Sequence, residues 1–394
     1  MRIIYKNKIV LFLFILAFFK PICFQYYSNF LIVDNVYNIF KIIVAILVIA
    51  QRFIDEFPKF SMKKQYLAIF IFGLWGVITT VLNDGYLIRA LIDFGTVYAI
   101  YILITKAVRY NTETFIIQMT KVLLLLVSLQ LISGLIYPSG LPADLYMNNS
   151  SNPLYFMTLD NGTASLTILA VTFINIKDRY CKAKKKQKVN LYLIICLVTA
   201  VFSGSTTAAF CTILVILVPV FLKIMNKHNT FDKPITWITS YFVIFVFVIL
   251  GGYNSIFNIT FTTLTGKQGF TGRILLWDKA LDLIAKSPVV GYGRQIQNYI
   301  TVWGGNFSSH NVILELTLQG GIIQVVFWIL CILVSAKNVS LCNDRYLIRV
   351  LQSAMFIILI ALMMEVTVFS VYLFTILATL NECLAIEKLN SRER

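Results

Sequence analysis

The feature that most constrains this chain is the recurrence of long apolar runs along its whole length. A helix needs about 17–25 apolar residues to cross about 30 Å of hydrocarbon, and twelve segments approach or reach that length. They are Ile9–Phe24, Val36–Ile54, Tyr66–Leu82, Leu87–Thr105, Phe115–Tyr137, Met157–Ile176, Val189–Phe202, Ala208–Leu222, Ile235–Gly251, Val312–Val334, Tyr346–Met364 and Phe369–Ile386. A mean hydropathy of +0.79 is also too high for a soluble domain. The sequence predicts an all-α integral membrane protein, a polytopic bundle of about twelve transmembrane helices in a single domain, residues 1–394.

One pair of spans is separated on the ground of length. The apolar stretch Val189–Leu222 is too long for one crossing, and its centre, Ser203-Gly-Ser-Thr-Thr207, offers glycine and hydroxyl groups for a turn. We therefore expect a helical hairpin that turns at these five residues.

Positive charge sets the expected orientation. With the N-terminus inside, the inner segments contain 25 of the 34 Lys and Arg residues, and the outer segments contain six. Both termini are then cytoplasmic, the basic run Lys182–Lys188 is inside, and the long segment Tyr253–His310 is outside. The net charge of +16 is explained mostly by this topology, so nucleic acid is not an expected partner.

The segment Tyr253–His310 is the one long polar stretch expected on the outer side. It contains an amphipathic helix over Arg273–Lys286, a Ser-Pro stop and the turn Gly291-Tyr-Gly-Arg294. The apolar face of the helix consists of Leu276, Trp277, Ala280, Leu281, Leu283 and Ile284. Such a helix is expected in the plane of the membrane interface, with Trp277 at headgroup depth. We expect this large extracytoplasmic loop to carry chemistry, because a protein that only transports has little need of it.

His310 is one of two histidines in the chain, and it lies where the outer segment meets the span beginning at Val312. The other, His228, lies in a basic inner loop and is most simply solvated. A neutral imidazole at His310 can take a proton from a sugar hydroxyl near neutral pH, which makes it the candidate catalytic base. The alternative is an interfacial histidine that is hydrogen-bonded to a loop carbonyl.

Asn311, Glu315 and Gln319 follow at intervals of four and form a polar stripe down one membrane helix. A carboxylate inside the bilayer is costly and usually faces a cavity or a partner. The stripe therefore either lines a substrate cleft below His310, with Asn311 and Glu315 as binding residues, or packs against neighbouring helices.

Three arginines are candidates for binding an anionic substrate. Arg273 opens the amphipathic helix, where its planar guanidinium would suit phosphate oxygens; the alternative is membrane anchoring. Arg89 lies near the outer end of its span with Asp93 one turn deeper, either as a simple ion pair or as a cation facing an outer cavity. Arg294 follows Gly291-Tyr-Gly293, whose glycines permit close backbone approach to a ligand.

Several classes of site are not indicated by the sequence. It contains no Gly-x-x-x-x-Gly-Lys loop, no His and Cys set with metal-ligand spacing and no Gly-x-Ser-x-Gly elbow. None of the seven cysteines lies in the outer segment, so neither a disulfide framework nor a metal or other cofactor is expected. No inverted pair of broken helices, as in many secondary transporters, is evident. Any chemistry must therefore use an activated substrate that is already in the membrane.

The stretch that ends at Gly321 resembles the signature region of the O-antigen ligase/polymerase (Wzy-type) superfamily. The resemblance rests on Gly272-Arg273, Trp277, Pro288-Val-Val-Gly-Tyr-Gly293, His310-Asn311, Glu315 and Gly320-Gly321, in this order and spacing. It covers about residues 265–325. The twelve-span layout with one large loop late in the chain agrees with it over the whole length.

The resemblance implies a metal-independent, inverting glycosyl transfer at the outer face of the bacterial cytoplasmic membrane. The implied donor is a glycan on undecaprenyl pyrophosphate, with Arg273 binding the pyrophosphate and His310 activating the acceptor hydroxyl. Many members carry Ser-Arg between the two middle helices, where this chain has Ser203-Gly-Ser-Thr-Thr207. Either those hydroxyls replace that contact, or Arg89 or Arg294 supplies the second cation.

Functions from two classes remain open. The first is an enzyme that polymerises lipid-linked repeat units into O-antigen or capsule, with a ligase that transfers the finished glycan as a close variant. The second is a flippase for lipid-linked oligosaccharides, which is also built from about a dozen spans and is also charged inside its cavity. The outer segment with His310 favours the enzyme. Expected partners are undecaprenyl-pyrophosphate-linked oligosaccharides, membrane lipids, and assembly proteins such as a flippase and a chain-length regulator.

Overall fold

The computed structural model describes residues 3–56, 63–142, 153–159, 161–181, 189–225, 230–251, 263, 273–365 and 368–391. Its helices are α1 Ile3–Lys6, α2 Lys8–Leu16, α3 Cys23–Tyr26, α4 Leu31–Glu56, α5 Lys64–Leu82, α6 Leu87–Ile136, α7 Thr163–Tyr180, α8 Val189–Phe202, α9 Thr206–Met225, α10 Pro234–Gly251, α11 Arg273–Lys286, α12 Val312–Ala336, α13 Arg345–Leu362, α14 Val371–Asn381 and α15 Cys383–Ser391. Two strands, β1 Ile300–Val302 and β2 Gly305–Phe307, form an antiparallel hairpin. The basic run Lys182–Lys188 lies outside the described residues. So do residues 252–262 and 264–272, which include most of the outer segment before Arg273.

The predicted all-α polytopic bundle is confirmed. Within the described part of the chain, six helices are long and apolar enough to cross a membrane, namely α4, α5, α6, α9, α12 and α13. Three shorter apolar helices, α8, α10 and α14, add to them. The helix α6 contains two of the predicted spans, because its backbone leaves helical geometry at Asn111 (φ −155°, ψ 89°). The predicted hairpin is also present, since α8 ends at Phe202 and α9 begins at Thr206.

The first predicted span, Ile9–Phe24, is not one continuous helix. Helix α2 ends at Leu16, and the chain resumes helical geometry only in the single turn of α3. Pro21 explains part of the break, because proline has no backbone N–H and disfavours helical geometry at the residue before it, Lys20. The break leaves Lys20 outside regular helix, where its ammonium bonds Asp34 of α4 at 2.8 Å.

Apolar side chains are distributed on two sides of the helices, as a membrane bundle requires. Tyr101, Trp328 and Phe374 are fully buried between helices, in a core that includes α6, α12 and α14. On the outside, Ile32 of α4 and Phe247 of α10 are 79% and 69% exposed. Exposed apolar side chains of this size are stable against lipid and not against water.

Helix α12 is broken in its N-terminal half, where Gly320 and Gly321 leave helical geometry. Gly321 has φ +66°, and a Cβ there would lie 1.9 Å from the carbonyl oxygen of Val289. The freed backbone groups are bonded by other parts of the chain. The bonds are Tyr292 N to Leu318 O at 2.7 Å, Gly293 N to Gln319 O at 2.8 Å, Trp75 Nε1 to Gly320 O at 2.8 Å, and Ile322 N to Pro288 O at 2.9 Å. A helix break inside a membrane is stable only when such partners are supplied.

The amphipathic helix has the predicted bounds, but the expected position of Trp277 at headgroup depth is wrong. Leu276, Trp277 and Ala280 are 4%, 2% and 0% exposed, and they pack on α10, β1 and α12. The indole N–H of Trp277 donates to Ser309 O at 3.1 Å instead of reaching the headgroup region. Helix amphipathicity does not say whether protein or lipid covers the apolar face, and here protein covers it. Leu281, in contrast, is 39% exposed.

A small β-hairpin in the loop was not anticipated from the sequence. Trp303 and Gly304 both have positive φ, +49° and +74°, as a two-residue hairpin turn requires. Ile300 is fully buried in one apolar cluster with Leu276 and Trp277, so the hairpin packs on α11. The hairpin fixes the chain between Arg294 and His310.

Candidate functional site

A cavity of about 390 Å³ lies between the loop that follows α11 and helices α4, α6 and α12. Its polar and charged lining consists of Lys20, Lys41, Arg89, Asp93, Thr96, Arg294, Asn298, Ser308, His310, Glu315, Gln319 and Glu365. Of the six predicted site residues, Arg89, Arg294, His310 and Glu315 line the cavity. Arg273 and Asn311 are not part of this lining, although both lie next to His310 in space or in sequence.

His310 lies in a strained turn at the start of α12. Its φ of +48° is in the left-handed region, which non-glycine residues adopt rarely and often at functional sites. Burial lowers the pKa of His310 most, and the positive charge of Arg273 lowers it further, from the usual 6.5 to about 4. Its Nδ1 atom is buried and has no hydrogen-bond partner among the described residues. The imidazole is therefore neutral near pH 7, and the loop-carbonyl bond that was the alternative reading is not made by Nδ1.

Glu315 fixes the position of this turn from inside the helix. One carboxylate oxygen, Oε2, accepts from the backbone N–H and the hydroxyl of Ser309, at 3.2 and 3.1 Å. The other, Oε1, accepts from Gln319 Nε2 at 3.3 Å. Glu315 lines the cavity although it is 1% exposed, and its carboxylate accepts these bonds from its own helix and the turn before it.

Asn311 caps the N-terminus of α12. Its Oδ1 accepts from the backbone N–H groups of Ile313 and Leu314 at 3.0 and 3.2 Å, and its Nδ2 donates to Met363 O at 3.4 Å. An asparagine N-cap stabilises a helix by about 1 kcal/mol. The cap determines where α12 begins and thereby leaves His310 in the turn before it.

Helix α11 approaches the same turn from the other side. Trp277 bonds the carbonyl of Ser309, and Arg273, one turn earlier, donates from Nη2 to Met364 O at 3.4 Å. Met364 follows the C-terminus of α13, where unpaired carbonyls carry partial negative charge that favours a cation. Arg273 is thereby placed close enough to lower the pKa of His310.

The expectation that Gly291 and Gly293 allow a ligand to approach the backbone is wrong for the surfaces they present here. A Cβ at Gly291 would lie 2.7 Å from backbone atoms of α12, and one at Gly293 would lie 2.6 Å from Thr80 Cα of α5. The glycines therefore allow the loop to pack on two helices. The next residue of the loop, Arg294, also contacts α5, since its backbone N–H donates to Thr80 Oγ1 at 2.9 Å. This contact places the Arg294 side chain against the cavity.

Arg89 and Arg294 share one carboxylate. Asp93 lies 3.2 Å from Arg89 Nε and 3.6 Å from Arg294 Nε. The Arg89 pair is the i,i+4 bridge expected from the sequence, and the side chain is also half exposed at 49%. The second contact joins residues 201 positions apart and was not foreseen. Two guanidinium groups with one carboxylate leave an excess positive charge on this wall.

Lys20, Lys41 and Glu365 line the cavity but were not among the predicted site residues. The signal was present for the two lysines, since each interrupts an apolar run and a cation in a span is costly. Glu365 follows a predicted span directly, and its position gave no comparable signal.

The turn between α8 and α9 does not contribute to the cavity lining. Ser203 and Ser205 are buried, and their hydroxyls bond Ala200 O and Asn161 Oδ1, both at 2.7 Å. The sequence left two candidates for the second contact to the anion, the hydroxyls of this turn or a guanidinium of Arg89 or Arg294. Both arginines line the cavity, and the turn does not. Within the described ranges, no group of three His, Cys, Asp or Glu side chains has a metal-binding arrangement.

Comparison with known protein families assigns part of the chain. A family model described as O-antigen ligase matches residues 191–329, a range that includes most of α8, all of α9 to α11 and most of α12. The match contains Arg273, Arg294, His310 and Glu315, while Lys20, Lys41, Arg89 and Glu365 lie outside it. No curated protein matches the chain.

Proposed function

Because this chain belongs to the Wzy/O-antigen ligase superfamily, we propose that it polymerises lipid-linked oligosaccharide repeat units into a surface polysaccharide. The family match indicates a bacterial membrane enzyme of glycosyl transfer. The proposal adds the substrate, a glycan on undecaprenyl pyrophosphate, and the place, the outer face of the cytoplasmic membrane. Both termini would then be cytoplasmic, and the loop of residues 253–310 would be outside.

The observation that supports this function best is the position of His310. A neutral imidazole lies in a cavity whose other walls carry several cations, within a protein that presents apolar surface to lipid. A base next to cations suits a reaction in which a hydroxyl is deprotonated while an anionic group leaves. A flippase needs the cations but has no use for the base.

The acceptor hydroxyl oxygen attacks C1 of the donor sugar, and a C1–O bond to the acceptor forms with inversion. The bond between C1 and the pyrophosphate oxygen breaks, and its electron pair leaves with the lipid pyrophosphate. The proton of the acceptor hydroxyl goes to the free imidazole nitrogen of His310.

Cations next to the leaving group would lower the barrier. The departing pyrophosphate gains negative charge, and preorganised cations in a partly dehydrated site stabilise it at little reorganisation cost. Arg273 is the first candidate, because its guanidinium is close enough to His310 to affect its pKa. Arg294 is the second, since it lines the cavity and its Nε atom makes no hydrogen bond among the described residues.

Two lipid-held substrates in one membrane also gain orientation before they react. The enzyme would receive its units from a flippase, and a chain-length regulator would act on the product. Asn311 and Glu315, proposed from the sequence as substrate contacts, act in this scheme by placing the turn of His310.

A gene deletion in the native bacterium tests the function. Loss of a polymerase should leave single repeat units at the cell surface, because delivery continues and joining stops. Units retained on the inner face would instead identify a flippase and would contradict the proposal.

Purified protein with defined acceptors separates polymerase from ligase. A polymerase should extend a lipid-linked repeat unit, and a ligase should transfer the glycan only to a different acceptor. Transfer to the second acceptor alone would assign the ligase reaction to the same site.

A further inference from the structure

One wall of the cavity lies outside the part of the chain that matches the family model. It is formed by Lys20, Lys41, Arg89 and Asp93, on the N-terminal region and α6. The part of the lining with Arg294, His310 and Glu315 lies inside the match, and Arg294 joins the two parts through its contact with Asp93 at 3.6 Å. Chemistry that a family shares belongs on the matched part, and selection among substrates can be placed on the other.

Lys41 is the cation of this wall that has no carboxylate within ion-pair distance. Lys20 bonds Asp34 at 2.8 Å, and Arg89 pairs with Asp93 at 3.2 Å. No ion pair or hydrogen bond is made by the Lys41 ammonium in the part of the chain that the structure describes. Its surroundings contain Asp34 and Asp93, but also the positive charges of Lys20 and Arg89.

The local structure of α4 explains why Lys41 is left unpaired. Asp34, Asn38 and Lys41 are spaced four and three residues apart and therefore lie on one face of the helix. Asn38 Nδ2 donates to Asp34 Oδ2 at 2.8 Å, and Lys20 bonds both residues, with 3.2 Å to Asn38 Oδ1. This cluster uses the carboxylate of Asp34, and Asp93 is paired with Arg89 and Arg294. The Lys41 ammonium therefore lines the cavity without a carboxylate partner among the described residues.

We propose that Lys41, with Lys20 beside it, forms an anion subsite that binds an acidic group on the accepting sugar, a carboxylate or a phosphate. The inference rests on the proposed function and names the substrate class of the same cavity. A cation in a membrane helix is retained at a cost and marks a substrate path when it faces a cavity. The enzyme would therefore select repeat units that carry an acidic sugar.

The size of the cavity favours an acidic sugar over the acceptor's own pyrophosphate. A volume of about 390 Å³ is near the lower end of ligand pockets, which range from about 300 to 1,000 Å³. An anion that reaches Lys41 while a hydroxyl of the same acceptor reaches His310 must therefore lie on the accepting sugar or the next one. The acceptor's pyrophosphate lies at the other end of the repeat unit.

The first test is chemical and does not depend on any variant. Lipid-linked repeat units that accumulate in cells lacking the gene are extracted, released by mild acid and analysed by mass spectrometry. We expect a carboxylate or phosphate on the glycan. A repeat unit that is neutral after loss of the lipid pyrophosphate overturns the proposal.

The second test measures polymer formation from these units by the full chain in lipid nanodiscs. Lys41→Gln should raise KM about 10- to 100-fold, the size of one lost charge-assisted hydrogen bond, with kcat nearly unchanged. Lys41→Arg should remain close to wild type, because the charge is kept. The control is Lys121→Gln, which removes an exposed lysine of α6 that does not line the cavity. An unchanged KM for Lys41→Gln overturns the subsite.

The third test distinguishes the two sources of anion. The acidic sugar is neutralised, by reduction of a carboxylate or enzymatic removal of a phosphate, while the pyrophosphate is left intact. For these units the wild-type KM should rise to that of Lys41→Gln, and the variant should show no further change. A persisting difference would assign Lys41 to the pyrophosphate and overturn the proposal. Absence of polymer from wild type with native units would instead refute the proposed function itself.

Discussion

Ser309 donates two hydrogen bonds to the same carboxylate oxygen of Glu315, from its backbone N–H at 3.2 Å and from its hydroxyl at 3.1 Å. Ser309 is fully buried, and the next residue is His310. The carboxylate therefore sets the direction in which the imidazole leaves the backbone. Glu315 acts on the candidate base through this turn and is a positioning residue.

Glu315→Gln should lower kcat about 10- to 100-fold and leave KM nearly unchanged, because two charge-assisted hydrogen bonds lose their acceptor charge. The rate is measured as polymer formed per unit of membrane-inserted protein. Thr317→Val on the same helix is the matched control, since among the described residues the Thr317 hydroxyl bonds only the carbonyl of Ile313 in its own helix. Equal losses in both variants would show that any buried polar change in α12 has this effect.

His310→Ala should abolish polymer while the protein is still inserted at the normal level. Removal of a general base typically costs about 10²- to 10⁴-fold in rate. The comparison is His228→Ala, which removes the other histidine and should be neutral. Turnover near wild type in His310→Ala would show that the base has been assigned to the wrong residue.

The pH dependence of the rate should reflect the low pKa of His310. Protonation removes the lone pair that accepts the hydroxyl proton, so activity is lost as pH falls through the pKa. With a pKa of about 4 instead of 6.5, the rate should stay level from pH 7 to about 5 and fall below that. Arg273→Gln should move the fall to higher pH, because Arg273 contributes to the shift. Half-maximal activity near pH 6.5 in wild type would contradict this environment.

Arg273→Lys should lose much of the activity, and Arg273→Ala should lose more. Lysine keeps the charge but loses the planar fork that binds two phosphate oxygens at once. Lys279→Ala is the control on the same helix, because Lys279 is half exposed and only 3.9 Å from Asp282, a weak surface pair. Near-normal activity in both Arg273 variants would remove this residue from the site and leave Arg89 and Arg294 to be tested.

The buried position of Trp277 leads to a separate prediction for α11. Trp277→Ala should destabilise the loop by about 3–5 kcal/mol, since a large core side chain and a hydrogen bond to Ser309 are lost together. Leu281→Ala should be mild, because this side chain is partly exposed. The measurement is resistance of the loop to limited proteolysis. A larger loss of protease resistance in Leu281→Ala than in Trp277→Ala would contradict the buried position of Trp277.

The orientation of the bundle can be tested with two single cysteines. Ile296 in the loop and Leu341 at the other end of α12 are 81% and 63% exposed, whereas all seven native cysteines are buried. In intact cells, an impermeant thiol reagent should label Ile296→Cys and should label Leu341→Cys only after lysis. The opposite pattern would invert the topology and place the cavity on the cytoplasmic side.

Features that depend on residues close together in the sequence could be predicted from it. Periodicity gave the bounds of α11, and the glycine and hydroxyl residues after Phe202 gave the turn between α8 and α9. His310 could be selected because it is a rare residue at the end of a span. These features depend on neighbours a few residues away, so one sequence is enough to predict them.

Contacts between distant segments could not be predicted in the same way. Trp75 and Gly320 are 245 positions apart, and Arg294 meets Asp93 only after the loop has packed on α5. Lys41 carried the clearest missed signal, a cation in an apolar helix, but its direction depends on how Asp34, Asn38 and Lys20 are bonded. Apolar faces also do not reveal whether lipid or protein will cover them, which is why Trp277 was wrongly expected at headgroup depth.

The break in α12 limits how this protein can move. Three of the four hydrogen bonds at the break are made by loop residues between Pro288 and Gly293. Lifting this segment would leave peptide groups without partners in hydrocarbon, at several kcal/mol each. The hydrogen bonds therefore oppose use of this segment as a hinged cover over the cavity. We therefore expect the loop to dock while α12 is being inserted, so that the turn of His310 is assembled during membrane integration.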